Sequence, residues 1–154
     1  VFCGMWSQGA GATLDWTRHF GPTPSVQTGP GEAADGDYYM YMETSNQGGD
    51  TTAVLISPPL IVSGATTMTF SYHMYGSDIG SLKVMVQGGD EPNATEVWRQ
   101  DDNQGEQWHH ASVNLSAYDG TTAQVSFVGK AGGGWMGDIG IDNIAFKAGG
   151  GAVP

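Results

Sequence analysis

A chain of 154 residues with 39% hydrophobic and 14% charged side chains suits one domain and is too apolar for a disordered acidic tail. Its formal net charge of −11 argues against nucleic-acid partners, whose phosphates are neutralised by Lys and Arg, and against anionic membrane surfaces. The same charge permits divalent cations, for which carboxylates are hard oxygen ligands.

In chain order, residues 21–36 (GPTPSVQTGPGEAADG) are rich in Pro and Gly and form a long loop, of the kind that binds something or wraps an edge. Residues 37–44 (DYYMYMET) read as a strand. The apolar run 53–62 (AVLISPPLIV) must break or follow a sheet edge at Pro58-Pro59, because proline cannot donate to a ladder. Residues 67–75 alternate, with Met68, Phe70, Tyr72 and Met74 on a dry face and Thr69, Ser71, His73 and Tyr75 on a wetter one. After a turn, Leu82, Val84 and Val86 resume the pattern through 81–87. Short strands are expected at 97–100, 108–115 and 123–129, separated by an acidic turn at 101–107 and an Asp-Gly turn near 119–120. A glycine loop at 130–137 holds Trp135, and the last strand covers 138–146. The domain therefore occupies 1–147, and residues 148–154 (AGGGAVP) read as a flexible segment. No window carries a helical stripe. The expected fold is all-β, an antiparallel β-sandwich of jelly-roll type.

The chemistry in this pattern is sparse. No stretch approaches the ~20 apolar residues of a membrane span, so direct membrane insertion is not expected. No Gly-x-Ser-x-Gly elbow, HExxH or CxxC occurs. His109 and His110 are consecutive on a strand, so their rings point to opposite faces and cannot act together. The reading is a non-enzyme. His73 and Tyr75 belong to sheet surface or inter-sheet packing. Asp35, Asp37, Glu43, Asp50, Asp138 and Asp142 stand at strand ends or loop edges, where carbonyl oxygens are also free to coordinate calcium, although none matches an EF-hand loop. Asp142 interrupts the apolar phase of Ile139, Ile141, Ile144 and Phe146, which indicates a bulge that caps local amides or binds a metal. Trp16 and Trp98 read as core. Trp135 is the best exposed candidate for stacking on a glycan, although covering the core is its first expectation. Asn93 and Asn114 fit the N-glycosylation pattern. The single cysteine, Cys3, has no partner within the chain.

The motifs CGMWSQ (3–8), LDWTR (14–18), GDYYMYMETS (36–45), AVLISPPL (53–60), MTFSYHMYGSDIGSLKV (68–84), VWRQDDNQGEQW (97–108) and GDIGIDNI (137–144) resemble, in order and spacing, the MAM domain of meprins, neuropilins and receptor tyrosine phosphatases. The resemblance implies an extracellular jelly-roll module, secreted or at the cell surface. It implies adhesion through a protein partner or self-association, without catalysis. A carbohydrate-binding module is the alternative. The family usually has a further strand before Cys3 and two disulfides; here Thr67 stands where the second begins, so Cys3 is free or pairs outside the chain. The structural cation of some members, carried over by position, points to Asp35 and Asp142, with Glu43 as a weaker ligand for a calcium ion.

Overall fold

In the computed structural model, residues 6–148 are described; Cys3 and residues 149–154 of the expected flexible segment lie outside them. Among the described residues, alternating side chains build eleven strands in two antiparallel sheets. The first sheet runs β1 (Ser7–Gln8), β4 (Thr52–Ile56), β10 (Thr122–Lys130), β7 (Ser81–Gly88), β8 (Thr95–Asp101), with β5 (Leu60–Ile61) also paired to β10. The second runs β2 (Thr17–Phe20), β3 (Tyr38–Met42), β11 (Ile139–Lys147), β6 (Thr67–Met74), β9 (His109–Asn114). No α-helix occurs among the described residues, and the single 3-10 turn is Ser116–Tyr118. The all-β sandwich expected from the alternation is what forms.

The two sheets meet through their apolar faces. Met40, Met42, Met68, Phe70, Met74, Ile139 and Ile141 of the second sheet pack on Leu55, Leu82, Val84, Val125 and Phe127 of the first. Phe70 and Phe127 meet edge to face at 5.0 Å across the sandwich, as aromatic quadrupoles favour. Trp16 is buried, and Trp98 packs against the same core. Each large apolar side chain removed from water contributes about 1.5–3 kcal/mol.

Several details differ from, or sharpen, the sequence reading. Pro58-Pro59 does break its apolar run, into β4 and β5, and both pieces pair with β10. The segment 97–100 extends to seven residues as β8, with a bulge where Val84 gives way to Met85 opposite it. Residues 17–20 form β2, which their mixed pattern does not announce. β6 and β7, consecutive in sequence, lie in opposite sheets, so the turn between them is a corner of the sandwich and not a hairpin. A Cβ at Gly80 in this corner would collide with the carbonyl oxygen of Lys130.

The wetter face of β6 is not wet. Ser71 and His73 are buried although they point away from the core. The loop 21–36 lies over this outer face. The Tyr39 hydroxyl donates to the Gly21 carbonyl at 2.6 Å, and the Trp108 indole N–H donates to the Glu32 carbonyl at 2.9 Å. Gly140 leaves the room for this cover, since a Cβ there would sit 3.2 Å from the Trp108 ring and 3.4 Å from Pro30. The long loop thus acts as a partial third layer, and period-2 alternation cannot reveal what lies on top of a face.

Candidate functional site

The bulge expected at Asp142 is present: the register of β11 against β6 slips between Asp142 and Ala145, and Asn143 takes φ 53°. Asp142 Oδ1 accepts the Asn143 amide at 2.8 Å, and its Oδ2 accepts the amide of Asp35 at 3.0 Å. The bulge therefore brings Asp35 and Asp142 together, but through the backbone of Asp35. Asp142 caps amides and ties the end of the long loop to the last strand, while the Asp35 side chain turns to solvent. Around this tie opens a hollow of about 430 Å³ lined by Trp6, Arg18, Asp37, Tyr38 and Asn143 besides the two aspartates.

Glu43 does not join them. It follows β3 at the opposite end from Tyr38, beside the buried Asp138 at the start of β11. Asp138 is fully enclosed. Its Oδ1 accepts the Thr44 amide at 3.0 Å, and its own amide donates to Thr28 Oγ1 at 2.8 Å. Thr28 Oγ1 donates onward to the Tyr75 carbonyl at 2.8 Å, and Thr23 Oγ1 donates to the Thr28 carbonyl at 3.0 Å. Asp138 Oδ2 has no hydrogen-bond partner among the described residues. Burial pushes the Asp138 carboxyl up to about 7; the Thr44 amide opposes this, and nearby Glu43 adds to it. Tyr41 donates to Glu43 at 3.4 Å, and burial together with the Glu43 charge pushes the Tyr41 phenol up to about 12. Asp138 belongs to the strand-end acids visible in the sequence, but only the fold gathers Glu43, three threonines and carbonyl oxygens around it. The signal available beforehand was an aspartate directly after Gly137 and directly before an apolar strand.

Among the described residues no group of three or more His, Cys, Asp and Glu side chains forms a metal cage. A cation at Asp138 would need hydroxyl and carbonyl oxygens to complete its shell, which calcium accepts. The donor set there is all oxygen, it includes two carboxylates, and one buried carboxylate oxygen lacks a partner, so the residues present fit a hard cation.

Trp135 is 43% exposed and does not pack on the core; next to it, Asp78 donates its amide to the Met136 carbonyl at 2.9 Å. Asn93 and Asn114 are both exposed. The histidines are spent on structure. His109 stacks on Tyr72 at 5.3 Å on one face of β9, while His110 Nδ1 meets Ser71 Oγ at 2.8 Å on the other, as consecutive strand residues must. Burial, with a smaller push from His109, lowers His73 to about 4.

Two kinds of likeness accompany this geometry. Among solved structures, the K2 cleaved adhesin domain of Lys-gingipain shares the fold at a TM-score of 0.62 and 19% identity, over 93% of this chain and 90% of that one. A carbohydrate-binding module, TmCBM61, solved with β-1,4-galactotriose, shares it at 0.58 and 11% identity, over 94% and 89%. At such identities these structures show the fold alone. Human MAM domain-containing protein 2 is 36% identical over 137 residues, which is 87% of this chain and 20% of that protein. Rat MAM domain-containing glycosylphosphatidylinositol anchor protein 1 is 35% identical, over 96% of this chain and 16% of that protein. The chain thus spans a fifth or less of these two relatives. The MAM domain, meprin/A5/mu, matches residues 1–150, and the chain belongs to that family.

Proposed function

We propose that this chain is a non-catalytic extracellular association module, a rigid two-sheet body that holds a binding surface for a protein partner or another copy of itself within a larger secreted or surface-anchored protein. The observation that carries this reading is family membership along nearly the whole chain, with relatives in which the module is a small part of a longer protein. The contacts of the histidines are in keeping with it. Ser71 in the Ser71–His110 contact is buried, and among the described residues no carboxylate is hydrogen-bonded to His110, so nothing orients that ring as a general base. His19 and His109 contact backbone carbonyls at 2.8 Å each.

The proposal includes a structural calcium ion held by Asp138 and Glu43 with neighbouring hydroxyl and carbonyl oxygens. The ion would neutralise two crowded carboxylates and pin the loop 21–36 to β11. The assay is bead clustering. Beads coated with the chain in calcium buffer should cluster with one another or adhere to a cell surface, and EDTA should weaken this. Beads that stay dispersed and adhere to no cell type overturn the association reading.

A further inference from the structure

The hollow beside the Asp142 bulge has a composition that the association reading leaves unused. Arg18 lies flat on Tyr38, its Cζ 3.6 Å from the ring centroid, and Phe20 meets the same ring edge to face at 5.7 Å. Among the described residues no carboxylate or carbonyl accepts from the Arg18 guanidinium, so its fork of N–H donors is held in place by stacking and is otherwise open. Asp35 and Asp37 line the same hollow, and no described donor engages either carboxylate. A guanidinium and two carboxylates therefore border one space without pairing with each other. Tyr38 remains 42% exposed, so apolar ring surface lies beside the polar groups. The volume of about 430 Å³ falls in the range of small-molecule sites, about 300–1,000 Å³.

The mixture of signs selects the ligand. An anionic ligand would meet the carboxylates of Asp35, Asp37 and Asp142. A cationic side chain would meet the Arg18 guanidinium. A neutral polyhydroxylated ring avoids both conflicts: each hydroxyl can donate to a carboxylate and accept from the guanidinium or the Asn143 side-chain amide, and its C–H face can lie against an aromatic ring. We infer that this hollow is a saccharide site, taking one or two neutral pyranose units, with Tyr38 as its apolar wall and Arg18, Asp35, Asp37 and Asn143 as its polar groups. Trp135 is not part of it, since it lies near Thr44, roughly 20 Å along β3 from Tyr38 at about 3.3 Å per residue. The inference is independent of the association reading, and bead clustering neither tests nor needs it.

The test is calorimetric titration of the 154-residue chain with neutral oligosaccharides (cellotriose, xylotriose, mannotriose and β-1,4-galactotriose), in calcium and in EDTA. At least one should bind, with a dissociation constant between about 10 μM and 1 mM. Tyr38→Ala and Asp37→Ala should each weaken binding about tenfold or more while the far-UV spectrum is unchanged, since both side chains are exposed and neither holds the core. Trp135→Ala should bind as the parent does. The inference is overturned if none of the sugars binds at roughly 10 mM. It is equally overturned if binding survives both substitutions, if binding is lost on Trp135→Ala, or if a lysine-rich peptide binds the hollow and the sugars do not.

Discussion

Replacing Asp138 by Asn gives the sharpest check on the buried acidic cluster. The side chain is fully buried, so its protonation is coupled directly to folding. Its carboxyl rises from the ordinary carboxylate value of 3.8 to about 7 in the fold, which is worth ~4 kcal/mol. A raised acid binds more protons folded than unfolded, so its contribution is intact below pH ~4 and is lost as pH rises to ~7. His73 works in the opposite sense. Its pKa falls from 6.5 to about 4, so the fold gains ~3 kcal/mol as pH rises between those values. In EDTA the two oppose each other in the parent chain between pH 4.5 and 6.5. Asp138→Asn removes one of them and should become more stable over that window, which for a chain of this size means a rise of several degrees in Tm. Above pH 7 without calcium, the variant should melt higher than the parent. Calcium should narrow that gap by stabilising only the parent, about 2.7 kcal/mol at a hundredfold excess over Kd. The measurement is thermal denaturation followed by circular dichroism, from pH 4 to 8, with and without calcium and with magnesium as the ionic control. Parallel pH curves for parent and variant would refute the reasoning about Asp138. A calcium response that persists in Asp138→Asn, or an equal one to magnesium, would place any ion elsewhere.

Three further outcomes follow from particular contacts. Asp142→Ala removes the acceptor for two amides and should cost about 1–3 kcal/mol in chemical denaturation, with faster hydrogen exchange at the Asp35 and Asn143 amides; protection unchanged at both would contradict the tie described here. Gly140→Leu forces a side chain between β11 and the loop 21–36, and should expose Trp108 to a fluorescence quencher at a cost of about 1–3 kcal/mol; quenching like the parent's would mean that the loop does not lie over that face. Phe127→Ala empties the centre of the sandwich and should cost about 3–5 kcal/mol, a large share of the usual 5–15 kcal/mol of a domain. A loss below 1 kcal/mol would argue against its central place.

The sequence by itself determined what depends on local order. Alternation through Met68–Met74 and Leu82–Val86 set the inner faces. Pro58-Pro59 set a break, because a missing N–H acts wherever it falls, and the phase slip at Asp142 set a bulge, because side-chain direction has period 2. Tertiary structure alone decided what depends on elements distant in the chain. Whether β6 pairs with β7 or faces it across the core depends on β10 and β11, which arrive about forty and sixty residues later and take those pairings. Whether the outer face at His73 is wet depends on the loop 21–36, whose Pro and Gly content says where regular structure stops but not where the loop lies. The same limit governed the site. Asp35, Glu43 and Asp142 were legible as acids at strand ends, yet one strand carries Tyr38 to the Asp142 hollow and Glu43 to Asp138 at its other end. The partners of a carboxylate are fixed by strand register and by the direction of the neighbouring strand, and neither is a property of the residue's own stretch of sequence.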